Sequence, residues 1–221
     1  MNIHTLVKTK LTSQNFSPLS KSFFLKDTIT VAKNLLGKLL VRKTEKTFLA
    51  GKIVETEAYI GDHDPACHAF GRVTPRNETL YMEGGICYVY FIYGNYFCVN
   101  TVTGKEGEGS GVLLRAIEPI SAVEQMIENR GITKTPFDLS NGPGKLCMAM
   151  DIDRKLNWTD ITKINPLFVS KPFKKEKFQI AVSKRIGIGS EISAEFPYRF
   201  FIKDNPYVTR HKYNKQIIET L

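Results

Sequence analysis

The 221-residue chain has no apolar run approaching the ~18–20 residues that cross a bilayer, so a helical membrane anchor is excluded. Its first stretch, MNIHTLVKTKLTSQNFSPLSKSFF, lacks a continuous apolar segment and a small-residue cleavage site. No signal peptide is expected, and the expected compartment is the cytoplasm. Cysteine is scarce: Cys67, Cys87, Cys98 and Cys147 form no CxxC pair, which argues against a zinc site or a redox couple and for buried free thiols. Complete phosphate-binding motifs are also missing. In Asn141-Gly142-Pro143-Gly144-Lys145, Leu139 stands where a phosphate loop needs its first glycine and Leu146 where it needs Ser or Thr. Gly187-Ile188-Gly189 lacks the third glycine of a dinucleotide fingerprint. His63 and His68, with Asp62 and Asp64 nearby, lack a third strong ligand, so no metal is expected.

What is present describes a globular domain with side chains enough for a core: 42% are hydrophobic and 24% charged. Thirty-one basic against 22 acidic side chains give +9, which favours a polyanionic partner. The surplus is uneven. Residues 1–50 carry +7 and residues 171–221 carry +6, whereas residues 51–170 carry −4. The basic ends are therefore expected to fold around an acidic middle and to line a surface facing the polyanion.

Residues 1–20 are polar and read as a loose arm, with a single domain over 21–221. Asp27 caps a helix whose apolar face is Val31, Leu35 and Leu36, stopped by Gly37. Strands are expected at 38–42, 50–57, 111–117, 178–182 and 198–202. Ser121 with Glu124 fits a capping box, opening a helix that ends near Gly131. A short helix follows the Asn141–Gly144 turn. Gly61 to Gly85 is a long loop rich in Gly, Pro and Asp, and such loops are usually functional. The pattern is α+β rather than a βαβ repeat.

Two features suggest chemistry. Glu55 and Glu57 stand at i and i+2 on a strand, facing the same way, where the strand runs into that loop. Then Tyr88, Tyr90, Phe91, Tyr93, Tyr96 and Phe97 place six aromatics in ten residues, in two runs around Gly94-Asn95 that form a hairpin. An aromatic at the tip of such a hairpin, in a basic protein, suggests a wedge entering a base stack.

Taken together, Glu55-Thr56-Glu57-Ala58-Tyr59, His68, Thr74-Pro75-Arg76-Asn77, the hairpin through Asn100, Leu113–Pro119, Gly142–Leu146 and Arg185–Gly189 resemble the 3-methyladenine (alkyladenine) DNA glycosylase family. The likeness runs in order over about residues 22 to 210. It implies an α+β domain with a mostly antiparallel curved sheet, flanking helices and a protruding DNA-intercalating hairpin. It also implies excision of alkylated or deaminated purines from double-stranded DNA by hydrolysis of the N-glycosidic bond, leaving an abasic site. Neither cofactor nor metal is needed, and a monomer without an obligate protein partner is expected, in the nucleoid or nucleus.

Residue by residue, the resemblance maps the general base onto Glu57, with Arg115 and the Ile186 carbonyl helping to hold the water. Tyr59, His68 and Tyr90 map onto the residues that sandwich the flipped base, and Asn100 onto the one that excludes guanine. Tyr93 maps onto the residue that fills the gap in the stack. Beside it, Asn95 replaces a larger apolar residue of the family. Thr74, Arg76 and Lys145 are candidates for contact with the DNA backbone. No lysine stands in the motif set as a nucleophile, so strand cleavage is not expected. Two other readings stay open: a non-catalytic damaged-DNA binder, and a sugar or nucleoside enzyme using Glu55 and Glu57 as an acid–base pair ~6.5–7 Å apart at Cα.

Overall fold

The strands are β1 (Leu39–Lys43), β2 (Phe48–Ile60), β3 (Cys87–Ile92), β4 (Tyr96–Thr103), β5 (Ser110–Ser121), β6 (Leu167–Ser170), β7 (Ile180–Ser183), β8 (Arg199–Ile202) and β9 (Glu219–Thr220), most of them rich in β-branched, aromatic and other apolar residues. The helices are α1 (Lys21–Phe24), α2 (Thr28–Leu35), α3 (Val123–Arg130), α4 (Pro143–Ala149) and α5 (Glu191–Ala194). The computed structural model describes residues 11–92, 94–131 and 134–221. Among them, the nine strands form one open antiparallel sheet in the order β3-β4-β5-β2-β8-β7-β9, with β1 pairing β2 and β6. The α+β architecture expected from the sequence is observed.

β2 is the axis. Along one edge it pairs β5 from Ala50 to Ile60; along the other it pairs β1 through Phe48–Lys52 and then β8 through Glu55–Glu57. Its register with β5 shifts on both sides of Glu55. A bulge of this kind bends a strand and re-aims its side chains. Helix α2 packs on the sheet with Val31, Ala32 and Leu35 buried against Ile53, Val54 and Ala58 of β2. It starts where Asp27 accepts the Thr30 amide at 2.8 Å. Gly37 then turns the chain at φ +79°, where a Cβ would stand 2.8 Å from the Phe178 ring.

Two expectations are corrected. Of the arm expected over 1–20, residues 1–10 lie outside the described residues, and residues 11–20 are docked rather than loose: Leu11, Phe16 and Leu19 are buried, and the Ser17 amide donates to Ser170 Oγ at 2.9 Å. The capping box at Ser121 does not form. Ser121 is the last residue of β5 and donates its hydroxyl to the Phe48 carbonyl at 3.2 Å, while Ala122, in the left-handed region at φ +54°, is the N-cap of α3 without a side-chain bond. The helix does end at Gly131, φ +71°. No helix among the described residues is long and apolar enough to cross a membrane.

Candidate active site

The C-terminal half of β2, the β3–β4 pair, β5 and the segment after β7 enclose a cavity of about 500 Å³. That volume is within the range of small-ligand sites. Tyr59, His68, Tyr90, Asn100, Arg115 and Ile186, six of the positions singled out in the sequence, all line it.

Glu57 lies directly behind this wall with no exposed surface. Its three hydrogen-bond donors are themselves lining residues. Tyr59 Oη donates to Oε2 at 2.8 Å, Arg115 Nη1 to the same oxygen at 3.2 Å, and the Ile186 amide to Oε1 at 2.8 Å. The Ile186 contact thus runs through the amide, whereas the sequence pointed to the carbonyl. Burial, followed by the neighbouring Glu57 charge, raises the Tyr59 phenol well above its usual range, so it remains a neutral donor. Burial opposes the Arg115 charge, but Glu57 and Glu55 outweigh it and keep the guanidinium protonated.

Glu55 faces the same way but belongs to a different environment. It is wholly buried and does not line the cavity. Burial pushes its carboxyl up; Arg115, Arg199 and the bonds from Thr209 together outweigh that and hold it below its ordinary 4.5. With its oxygens taken by Arg115, Arg199 and Thr209, Glu55 is placed to orient its neighbours rather than to serve as the acid of an acid–base pair.

The aromatic wall comes from alternation along β3. Tyr88 and Tyr90 stack at 5.3 Å between ring centroids, and His68 meets Tyr90 edge-on at 4.5 Å. His68 Nδ1 and the Tyr88 hydroxyl are hydrogen-bonded at 3.0 Å. Desolvation against these rings, together with the Arg76 charge, lowers the His68 pKa below its ordinary 6.5. Asn100 is buried at the back, its amide donating to the Tyr88 carbonyl at 3.4 Å.

The long loop is fixed by two residues. Asn77 accepts the Thr74 amide at 2.6 Å and donates to the carbonyls of His68 and Arg72. Asp64 forms a bidentate pair with Arg185, at 2.5 and 2.8 Å, with no exposed surface on either side chain. Arg185 also donates to the Ala58 carbonyl at 2.9 Å and lies 4.5 Å from the Tyr59 ring. It clamps β2, the loop and the segment carrying Ile186 together. His63 is spent on Tyr198 Oη at 3.2 Å, so the histidines and Asp64 point to three different partners.

Thr74, Arg76, Lys145 and Asn95 do not line the cavity. Arg76 is exposed, and Lys145 is held by Asn141 Oδ1 at 2.8 Å and Asp138 at 3.6 Å. Asn95 is exposed in the β3–β4 turn, while Tyr93 lies outside the described residues. Sequence reasoning missed Tyr88, Cys98 and Leu113 in the lining. Tyr88 was detectable, standing two residues before Tyr90 on the same strand face. All four cysteines are buried and unpaired.

The family model for methylpurine-DNA glycosylase matches residues 22–206. A protein of Clostridium tetani is 47% identical over 201 residues, covering 87% of this chain and 98% of its own. Proteins of Clostridium botulinum strain Alaska E43 and Clostridium beijerinckii are 45% and 42% identical with the same coverage. All three carry the provisional name 3-methyladenine DNA glycosylase.

Proposed function

The chain belongs to the methylpurine-DNA glycosylase family, and on that premise we propose that it excises alkylated purines from DNA by base flipping and a Glu57-activated water. It is a DNA glycosylase, a hydrolase of N-glycosyl bonds acting on alkylated bases. The observation that carries the proposed mechanism is Glu57, held by three donors behind the cavity.

A purine inside a duplex is out of reach, so the nucleotide is extruded at a cost of a few kcal/mol, smallest for a damaged pair. Tyr93 fills the gap it leaves, with Asn95 beside it at the turn. The base enters between Tyr59, His68 and Tyr90, whose π faces favour electron-poor rings. Keeping His68 neutral avoids repelling a cationic alkylpurine. Asn100 excludes normal guanine by clashing with its exocyclic amine.

Glycosidic cleavage builds positive charge on the sugar. The Glu57 carboxylate counters that charge and accepts a proton from the water that attacks C1′. Tyr59, Arg115 and the Ile186 amide fix its orientation. The proposed reaction is hydrolysis without strand cleavage. Thr74, Arg76 and Lys145 contact the DNA backbone, and the enzyme works as a monomer whose single domain takes in the docked residues 11–20.

The test is single-turnover release of 3-methyladenine, hypoxanthine and 1,N6-ethenoadenine from defined duplexes. Glu57→Gln is expected to lower the rate by about 10²–10⁴-fold while binding of the lesion duplex persists. Unimpaired excision by that variant would remove Glu57 as the base.

A further inference from the structure

We propose that Glu55 is a positioning residue for the excision reaction, fixing Arg115 against Glu57 and sharing its charge, and that Thr209 holds Glu55 in that role. The proposal rests on the reading of Glu57 as the general base.

Arg115 is the bridge. Its Nε donates to Glu55 Oε1 at 3.1 Å and its Nη1 to Glu57 Oε2 at 3.2 Å. A guanidinium is a rigid planar fork, so the direction of Nη1 follows from where Nε is held. Glu55 is held in turn by Arg199 Nε at 2.7 Å, and by the amide and hydroxyl of Thr209 at 2.8 and 2.6 Å. Thr209 is 154 positions along the chain. Arg199 is anchored further by Ser183 Oγ at 3.0 Å and Asn214 Oδ1 at 2.8 Å. The C-terminal segment thus reaches the general base through an unbroken series of hydrogen bonds.

The charges make this more than scaffolding. Glu55 and Glu57 face Arg115 and Arg199, two against two, with all four buried and only Arg115 reaching the cavity. With Glu55 neutral, two cations would face one carboxylate. Glu57 would hold Arg115 more tightly and would take a proton from water less readily. The titratable groups around the pair are Arg115 from β5, Arg199 from β8, Tyr59 from β2, Tyr90 from β3, Cys98 from β4, Arg185 after β7 and His211 after β8.

The experiment compares the wild type with Glu55→Gln and Thr209→Val, measuring single-turnover hypoxanthine release across pH and duplex binding in parallel. Glu55→Gln is expected to lose about tenfold to a hundredfold in rate with binding retained. Its acid limb is expected about one unit lower in pH, because a negative charge beside the base is gone. Thr209→Val keeps the Glu55 charge and loosens its hold, so it is expected to lose a smaller part of the rate with binding retained and the limb in place, and that split decides the matter alone if Glu55→Gln does not fold. Wild-type rates and profiles in the variants would overturn the proposal. So would equal losses of rate and binding with an unmoved limb, which describe a purely structural residue. The comparison is repeated on a His211→Gln background, where disappearance of the shift would assign it to the imidazole and also overturn the proposal. A wild type that releases none of the three lesions fails the glycosylase reading itself; an active wild type with indifferent variants fails only the role of Glu55.

Discussion

Asp64 and Arg185 bury opposite charges with no exposed surface and complementary bidentate geometry. Removing one partner strands the other, so Asp64→Asn is expected to cost about 3–5 kcal/mol in urea unfolding at neutral pH. The pH dependence follows from the direction of the shift. Burial opposes ionisation of Asp64, but the Arg185 pair, with help from Ser193 and the Ala66 amide, holds its folded pKa below 3.8. Its contribution to stability is complete above that ordinary value and is lost as pH falls through the lower folded one. Titrating urea stability downward should therefore leave the gap between wild type and Asp64→Asn constant to about pH 4 and narrow it below that; a gap that stays constant below about pH 4 would contradict it. Glu57 stands out in its paired-carboxylate run and Tyr90 in the aromatic hairpin, whereas Arg115, Tyr59 and His68 come from the family resemblance; all but Glu57 line the cavity. The Asp64–Arg185 clamp was not legible, because 121 positions separate its halves and neither has a local pattern that marks it. Nor could spacing tell that Glu55, one bulge away from Glu57, is saturated by Arg199 and Thr209.

Helices α2 and α3 separate local signals from long-range ones. For α2 the Asp27 cap, the apolar spacing and the glycine stop agree, and the observed helix follows them. For α3 the Ser121–Glu124 pattern was equally good locally, but Ser121 pairs with Ala50 as the end of β5, and the chain leaves the strand through Ala122 in the left-handed region. A strand partner 71 positions away cannot be read from a four-residue motif. The two sites therefore respond differently to the same change. Asp27→Ala loses a working cap and is expected to cost about 1 kcal/mol. Ser121→Ala loses only its bond to the Phe48 carbonyl and should stay within about 0.5 kcal/mol. Thermal unfolding of both variants checks this, with Asp27→Ala expected to melt about 2–4 °C lower.

Across the whole molecule, the +9 surplus is divided between basic ends and a middle of −4. The ends do reach the middle, yet two C-terminal arginines arrive as buried partners: Arg199 on Glu55 and Arg185 on Asp64. Lys52 is likewise occupied by Glu118 and Glu176. Net charge alone could not show this, because it counts a buried paired cation and an exposed one alike. The attraction to DNA should accordingly depend on the cations left exposed. For duplex binding, each phosphate neutralised adds about −0.9 to the slope of log K against log salt. Arg76 is exposed, and if it meets a phosphate, Arg76→Ala should make the slope shallower by about one unit. Lys145 already lies beside Asp138 and donates to Asn141 Oδ1, so its charge is partly neutralised before DNA arrives and it displaces fewer of the duplex's condensed counterions. Lys145→Ala should change the slope by less than half as much. Equal changes would mean that the duplex pulls Lys145 away from Asp138, making that ion pair a contact exchanged on binding rather than a fixed brace.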